Sequence, residues 1–298
     1  MTTTTAGRTT TVGELIDSIW VASALATALG EPELPDEDPA VEMLALAGLV
    51  ERNDTGWVPT ESLRAEVPPE RIDVARERLA SVLGQAATIA ALGPGRSWDS
   101  YGDEVLLAQG RLSAAVSRAF ASMLSSMPDL AAVVEHCQVI IDAGVGVAGA
   151  ACTICETLPD ARVIGLDVNP RALGLARKLA AAKGLSDRIE LRLQGVEELQ
   201  DVGVASVGHI PPQFIPRPAV IEGIGRMFRA LRPGGILLLD VSGQDAEATV
   251  DRWQAYNAGG SAMTLTECAE VVTAAGFEQP KTPPNLPPGA PLAYCRRP

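Results

Sequence analysis

Long apolar runs, basic clusters and a second close cysteine pair beside Cys152 and Cys155 are all missing from this chain, and each absence removes a class of function. No stretch reaches the roughly 18–20 apolar residues that span a bilayer, so no membrane partner is expected. Lysine is scarce and the net charge is −13. With no basic run to meet a phosphate backbone, nucleic acid is excluded as an expected partner. The five cysteines are odd in number and scattered through 298 residues. A chain of that length buries a core without staples, so they read as reduced thiols in a cytoplasmic setting. The opening MTTTTAGRTTTVGEL lacks a signal-peptide apolar core, and residues 1–10 read as a disordered leader.

With 47% of residues apolar, a full core is available and a wholly disordered chain is excluded. From Thr11 to Leu29, apolar residues recur at three and four, the pattern of an amphipathic helix, and prolines 32, 35 and 39 break it. Val41–Ala47 predicts a second helix that stops at Gly48, and LVERNDTGWVPT predicts a small hairpin. Two helices and a hairpin look like a winged-helix unit over residues 11–97. Its second helix carries Glu42 and no lysine or arginine, which favours a dimerisation or lid module over DNA binding. Residues 98–135 predict connecting helices that cover the active site, and residues 136–298 a catalytic domain.

After residue 136 the pattern becomes strand, turn and helix in repetition. Apolar strands are expected at Val139–Asp142, Arg162–Asp167, Ile189–Leu193, Val204–Val207 and Ile236–Val241, with helices between them. Near-continuous apolar strands are buried on both faces, so the domain is α/β with a mostly parallel sheet. Two late strands, around Gln279-Pro280-Lys281 and at Leu292–Arg296, complete it as a hairpin.

The first strand ends in Asp142-Ala143-Gly144-Val145-Gly146 and runs into a helix, which puts ligand at the carboxyl edge of the sheet. Glycine is needed where a side chain would hold the ligand off the backbone. Asp167 ends the next strand 21 positions after Gly146, the spacing of an acid that binds ribose hydroxyls. An anionic Asp142 beside the turn would repel a pyrophosphate but welcomes an ammonium and a sulfonium. The balance moves from a nicotinamide dinucleotide to S-adenosylmethionine.

At this point the sequence resembles the class I S-adenosylmethionine-dependent methyltransferases, through D-x-G-x-G at Asp142, Gly144 and Gly146, the strand-end Asp167, and LRPGGILLLD at 231–240. The resemblance covers about residues 98–298. It implies a Rossmann-like methyltransferase fold with a mostly parallel seven-stranded sheet and a mainly helical, winged-helix-like N-terminal domain. It also implies S-adenosyl-L-methionine as cofactor, S-adenosyl-L-homocysteine as product, and a homodimer formed through the N-terminal domain. By position, Asp142, Gly144 and Gly146 face the methionine moiety, Asp167 the ribose, and Val168 and Asn169 the adenine. Gln194, Gly195 and Val196 stand where many relatives carry an acid for the adenine amine, and Gly208 completes the cofactor set. The third glycine of the turn is displaced, Ala148 coming before Gly149.

The fourth strand leads into GHIPPQFIPRP, placing His209 under the transferred methyl as a candidate base, since histidine titrates near neutrality. His209-Ile210-Pro211-Pro212-Gln213-Phe214 is similar to the N-P-P-[YF] loop of nitrogen methyltransferases, but the asparagine is missing and the prolines read as punctuation. Trp98, Tyr101, Arg111, Phe214, Trp253 and Tyr256 are the candidate acceptor contacts. Cys152 and Cys155 share a helix face but lack a second ligand pair, so no metal is expected and they read as packing residues. His136 reads as structural. The expected activity is methylation of an oxygen or nitrogen of a small molecule in bacterial specialised metabolism. Three alternatives stand beside it: a cyclase or decarboxylase on the same fold, a winged-helix DNA-binding regulator, and a nicotinamide oxidoreductase.

Overall fold

The computed structural model describes residues 11–29, 31, 34–35, 38–54, 56–95, 97–125, 133, 138–243, 245–283 and 292–298. The expected leader at 1–10, His136 and the end of the helix expected to Met127 lie outside them. The chain divides into two compact units, at Gly84 and Gln85.

The first unit opens with helix α1 (Val12–Ala28), started by a capping box in which Thr11 Oγ1 accepts from the Glu14 N–H and Glu14 returns to the Thr11 N–H. Helix α2 (Pro39–Leu46) has Asp38 as its cap and proline in its first turn. Strands β1 (Val50–Asn53) and β2 (Gly56–Pro59) pair antiparallel as the expected hairpin. Helix α3 (Glu61–Glu66) follows, then the long helix α4 (Ile72–Leu92), inside which the units divide. Ala24, Val41, Leu44 and Val50 form a small core, with Val21, Leu25 and Trp57 against it. The opposite side of α1 is apolar and open: Leu15, Ile16, Ile19 and Trp20 are each more than half exposed.

The second unit holds helix α5 (Asp103–Ser125) and an α/β domain. In order it comprises β3 (Val139–Ala143), α6 (Gly149–Thr157), β4 (Arg162–Asp167), α7 (Pro170–Ala182), β5 (Ile189–Leu193), β6 (Ala205–Ile210), α8 (Arg217–Ala230), β7 (Leu231–Asp240), α9 (Asp245–Ala258), α10 (Leu265–Ala274) and β8 (Leu292–Arg296). The sheet order is β5-β4-β3-β6-β7-β8, parallel except for β8. Among the described residues it therefore has six strands where seven were expected. The place of the other late strand is taken by a bridge from Lys281 to Tyr294.

Alternation along β3 decides which core each residue joins. Ile141 faces the cluster with Val220, Ile224 and Met227 of α8 and Val272 of α10, while Ile140 faces Ala151, Cys152 and Cys155 of α6 and Leu173 of α7. Burial pushes the Cys152 thiol up to about 11, and Cys268 and Cys295 to about 12, which keeps them protonated and inert. Arg188 closes the end of α6 by donating to the carbonyls of Cys155, Leu158 and Ala161. No described helix is long and apolar enough to cross a membrane.

Two helices cross with no side chain between them. A Cβ built on Gly149 of α6 would lie 1.9 Å from the Gly110 carbonyl oxygen of α5, so backbone meets backbone. The glycine that follows the ligand turn is thus spent on packing α5 to α6.

Candidate functional site

The turn after β3 is built from alternate left-handed residues: φ is +67° at Gly144, +56° at Gly146 and +64° at Ala148. Ala148 is the one non-glycine with positive φ among the described residues. It occupies the third glycine's place in conformation, at a cost of about 1–2 kcal/mol for an L-residue. The displaced glycine of the sequence is therefore a substitution within the turn, and Gly149 serves another purpose.

Asp167, at the end of β4, holds this turn. One carboxylate oxygen accepts from the Gly146 N–H and the other from the Asn169 N–H, both at 2.8 Å. Burial pushes its carboxyl above the usual range against those two donors, and Asp142 and Asp99 add to the rise. Asn169 caps α7, accepting from Arg171 and Ala172, and its Nδ2 is buried with no hydrogen-bond partner. A buried side-chain donor without a partner is rare in a folded protein, and this one stands two residues from Asp167. At the paired ends of β4 and β5, Val168 is 71% and Leu193 62% exposed, which leaves apolar surface at the sheet edge.

Two acids, Glu197 and Glu198, follow closely on β5. The Gln194 Nε2 is turned to the Glu198 carbonyl at 2.9 Å, and Glu198 returns to the Gly195 N–H. The Glu197 carboxylate lies against Gly195, within 2.6 Å of where a Cβ would stand. Val196 and Gly208, expected beside the cofactor, are buried positions. Val196 is 3% exposed and packs where α8 has Gly223, and the open face of Gly208 meets Met227.

His209 is held from both sides of its ring. Strand β6 runs three residues beyond the apolar stretch Val204–Val207, so His209 sits inside the strand, register-paired with Asp142 on β3 and Leu238 on β7. Its Nδ1 is 2.9 Å from Asp142 Oδ1 and its Nε2 is 3.3 Å from Asp240 Oδ1. Gln213 donates from Nε2 to the other Asp240 oxygen at 2.6 Å. Burial alone would lower the imidazole, but the charges of Asp240 and Asp142 and the two hydrogen bonds outweigh it, raising His209 from 6.5 to about 10. The ring keeps 29% exposure, so the burial penalty is moderate and the upward direction follows from the two carboxylates. Each ring nitrogen is thus engaged by an acid, and neither is left open toward an acceptor. Asp240 and Gln213 were missed by sequence reasoning; the strand-end position of Asp240 was the available signal.

The candidate acceptor residues fall into two groups. Trp98 lies 4.8 Å from Tyr101 and 5.4 Å from Phe214 between ring centroids, so these three come together. Tyr101 is 2% exposed and donates to the Asn257 carbonyl, a position in the core beneath that group. Trp253 and Tyr256 stand half-exposed on α9, 6.2 Å apart, with the Tyr256 hydroxyl beside Gly95. Arg111 is exposed on α5, next to the Gly110 crossing. Pro211 and Ile215 lie over Gly144. Among the described residues no cluster of metal ligands occurs.

Residues 140–235 match the family model described as a methyltransferase domain. A release factor glutamine methyltransferase from Moorella thermoacetica is 30% identical over 156 residues, 44% of this chain and 55% of the relative. The chain thus spans about half the length of that curated relative. In fold, it is similar to the pyocyanin biosynthetic protein PhzM, with a TM-score of 0.63, 16% identity and 96% of each chain covered. An O-methyltransferase family protein from Burkholderia thailandensis gives a TM-score of 0.62 at 16% identity, covering 97% of this chain and 99% of that one.

Proposed function

The chain carries a methyltransferase domain on the class I S-adenosylmethionine-dependent fold, and on that premise we propose that it transfers a methyl group from S-adenosylmethionine to an oxygen or nitrogen of a small molecule in bacterial specialised metabolism. The observation that carries this reading is the pair of acids at adjacent strand ends, Asp142 and Asp167, bracketing a turn of left-handed residues with the orphaned Asn169 Nδ2 beside it. The bound cofactor would supply an electrophilic methyl on a sulfonium. Asp167 would hold the ribose hydroxyls, Val168 and Leu193 would flank the adenine, and Glu197 would accept from its amine. Asp142 and the turn would take the cationic methionine end. Trp98 and Phe214, with Trp253 and Tyr256, would line the acceptor's approach and exclude water. The likeness in fold to a pyocyanin biosynthetic protein supports a natural-product acceptor.

Calorimetry with S-adenosylhomocysteine tests the cofactor assignment, with binding in the micromolar range expected; no binding by the wild-type protein would overturn it. Tritiated methyl transfer into a cell extract then separates methylation from other chemistry on the same fold.

We assign the open apolar side of α1 to a second copy of this chain, giving a homodimer in a cytoplasmic setting. Four large side chains in one stripe, each more than half exposed, are a surface that monomers rarely present to water. Sedimentation should show a dimer for the wild type and a monomer for a Trp20→Glu, Ile16→Glu double variant. A wild-type monomer at micromolar concentration would sink the assignment.

A further inference from the structure

His209 lies on the middle one of three neighbouring strands, and each outer strand sets a carboxylate against one nitrogen of its ring. Asp142 comes from β3 at 2.9 Å and Asp240 from β7 at 3.3 Å. Gln213, on the turn after β6, is neutral and holds the far oxygen of Asp240. These are the charged and polar groups of the described residues that meet the ring. An ionised carboxylate only accepts, so with one against each ring nitrogen both contacts are hydrogen bonds when the ring carries both protons. Asp142 is 4% exposed, and the ring of His209 is the basic group that both carboxylates face.

We propose that His209 is a permanently charged positioning residue, an imidazolium strung between Asp142 and Asp240, which keeps both acids ionised at the ligand edge and does not take the acceptor's proton. This rests on the methyltransferase reading above and deepens it. The three groups carry a net charge of −1, which favours a cationic ligand against Asp142. With Nδ1 and Nε2 both occupied, the proton displaced from the acceptor goes to bulk water. The acceptors that suit such a site are nucleophilic without a resident base: a free amine, or a phenolic hydroxyl acidic enough to arrive ionised. An aliphatic alcohol, which needs its proton removed during transfer, does not suit it.

The chain has two histidines, so nitrogen-15 spectra of the imidazoles resolve His209 once His136→Gln assigns the other signal. In the wild-type protein without ligand, both His209 nitrogens should remain protonated at pH 8, with a midpoint near 10. Asp240→Asn and Asp142→Asn should each bring that midpoint down by at least one unit. A wild-type midpoint at or below 7 would overturn the proposal, and so would a midpoint that neither variant moves. The second readout is S-adenosylhomocysteine affinity between pH 6 and 8.5. In His209→Gln, which keeps an amide donor but loses the charge, one acid should hold a proton at pH 6. Affinity of this variant should therefore fall at least tenfold more than wild type on going from pH 8.5 to 6. Equal pH dependence in the two proteins refutes the charge role. If the wild type fails to bind S-adenosylhomocysteine, the cofactor reading falls, while the imidazole titration still decides the state of His209.

Discussion

Gly149→Ala should cost the second unit about 3 kcal/mol or more of stability, at the upper end of what overpacking does. The neighbour that a new methyl would strike is the backbone carbonyl of Gly110, 1.9 Å from the Cβ position, with the Gly110 carbonyl carbon at 2.6 Å. A flexible side chain would swing away, whereas a helical carbonyl moves only with its helix. Helices α5 and α6 must therefore separate, and Val147, Val105 and Leu106 lose their shared contacts. For a unit of this size such a loss lowers the melting temperature by on the order of 10 °C. A melting temperature within about 2 °C of wild type would mean that the helices do not cross as closely as described.

Asp167→Ala should weaken S-adenosylhomocysteine binding by at least about 100-fold, since two hydrogen bonds to a charged group contribute roughly 1.5–3 kcal/mol each. Part of the loss comes from the turn itself, because the N–H groups of Gly146 and Asn169 lose their acceptor. Asp167→Asn separates the two contributions: it retains one acceptor oxygen for the turn and removes the charge. Burial holds the Asp167 carboxyl above the ordinary 3.8. A ligand that needs the carboxylate then begins to dissociate, as pH falls, earlier than an ordinary aspartate would allow. The sign for folding is opposite. A carboxyl raised in the folded state takes up its proton more readily there than in the unfolded chain, so acidification through this group does not unfold the protein. Affinity that declines in mild acid while circular dichroism stays unchanged is the expected result. Affinity that is level down to pH 4, or an Asp167→Ala variant that binds as the wild type does, would remove Asp167 from the ligand site.

The strands of the α/β domain were legible because they are apolar on both faces, a signal carried within each short stretch of residues. Asp142, Gly144, Gly146 and Asp167 were legible for a related reason: a turn and a strand-end acid mark themselves locally. Helix α9 is harder to read, because Asp245–Ala258 is mixed in polarity along its length and shows weak periodicity. The state of His209 was beyond local reading altogether. Its partners are 67 and 31 residues away in sequence, and only the sheet order brings them to its ring. The double purpose of the glycines was hidden in the same way. Ala148 adopts the left-handed backbone expected of glycine, and Gly149 is small because another helix passes there.

Strand β8 has a consequence in the order of synthesis. It pairs with β7 along Ile236–Asp240, and Arg297 ties it further to Gly234 and Gly235. Every other strand of the sheet precedes it in the chain. While the ribosome adds the roughly 50 residues between β7 and β8, a matter of several seconds at about 5–20 residues per second, the Ile-Leu-Leu-Leu edge of β7 stands open. During that interval the nascent domain exposes an apolar strand edge ready to pair with any other chain, and its yield in a cell depends on how well that edge is shielded until β8 arrives.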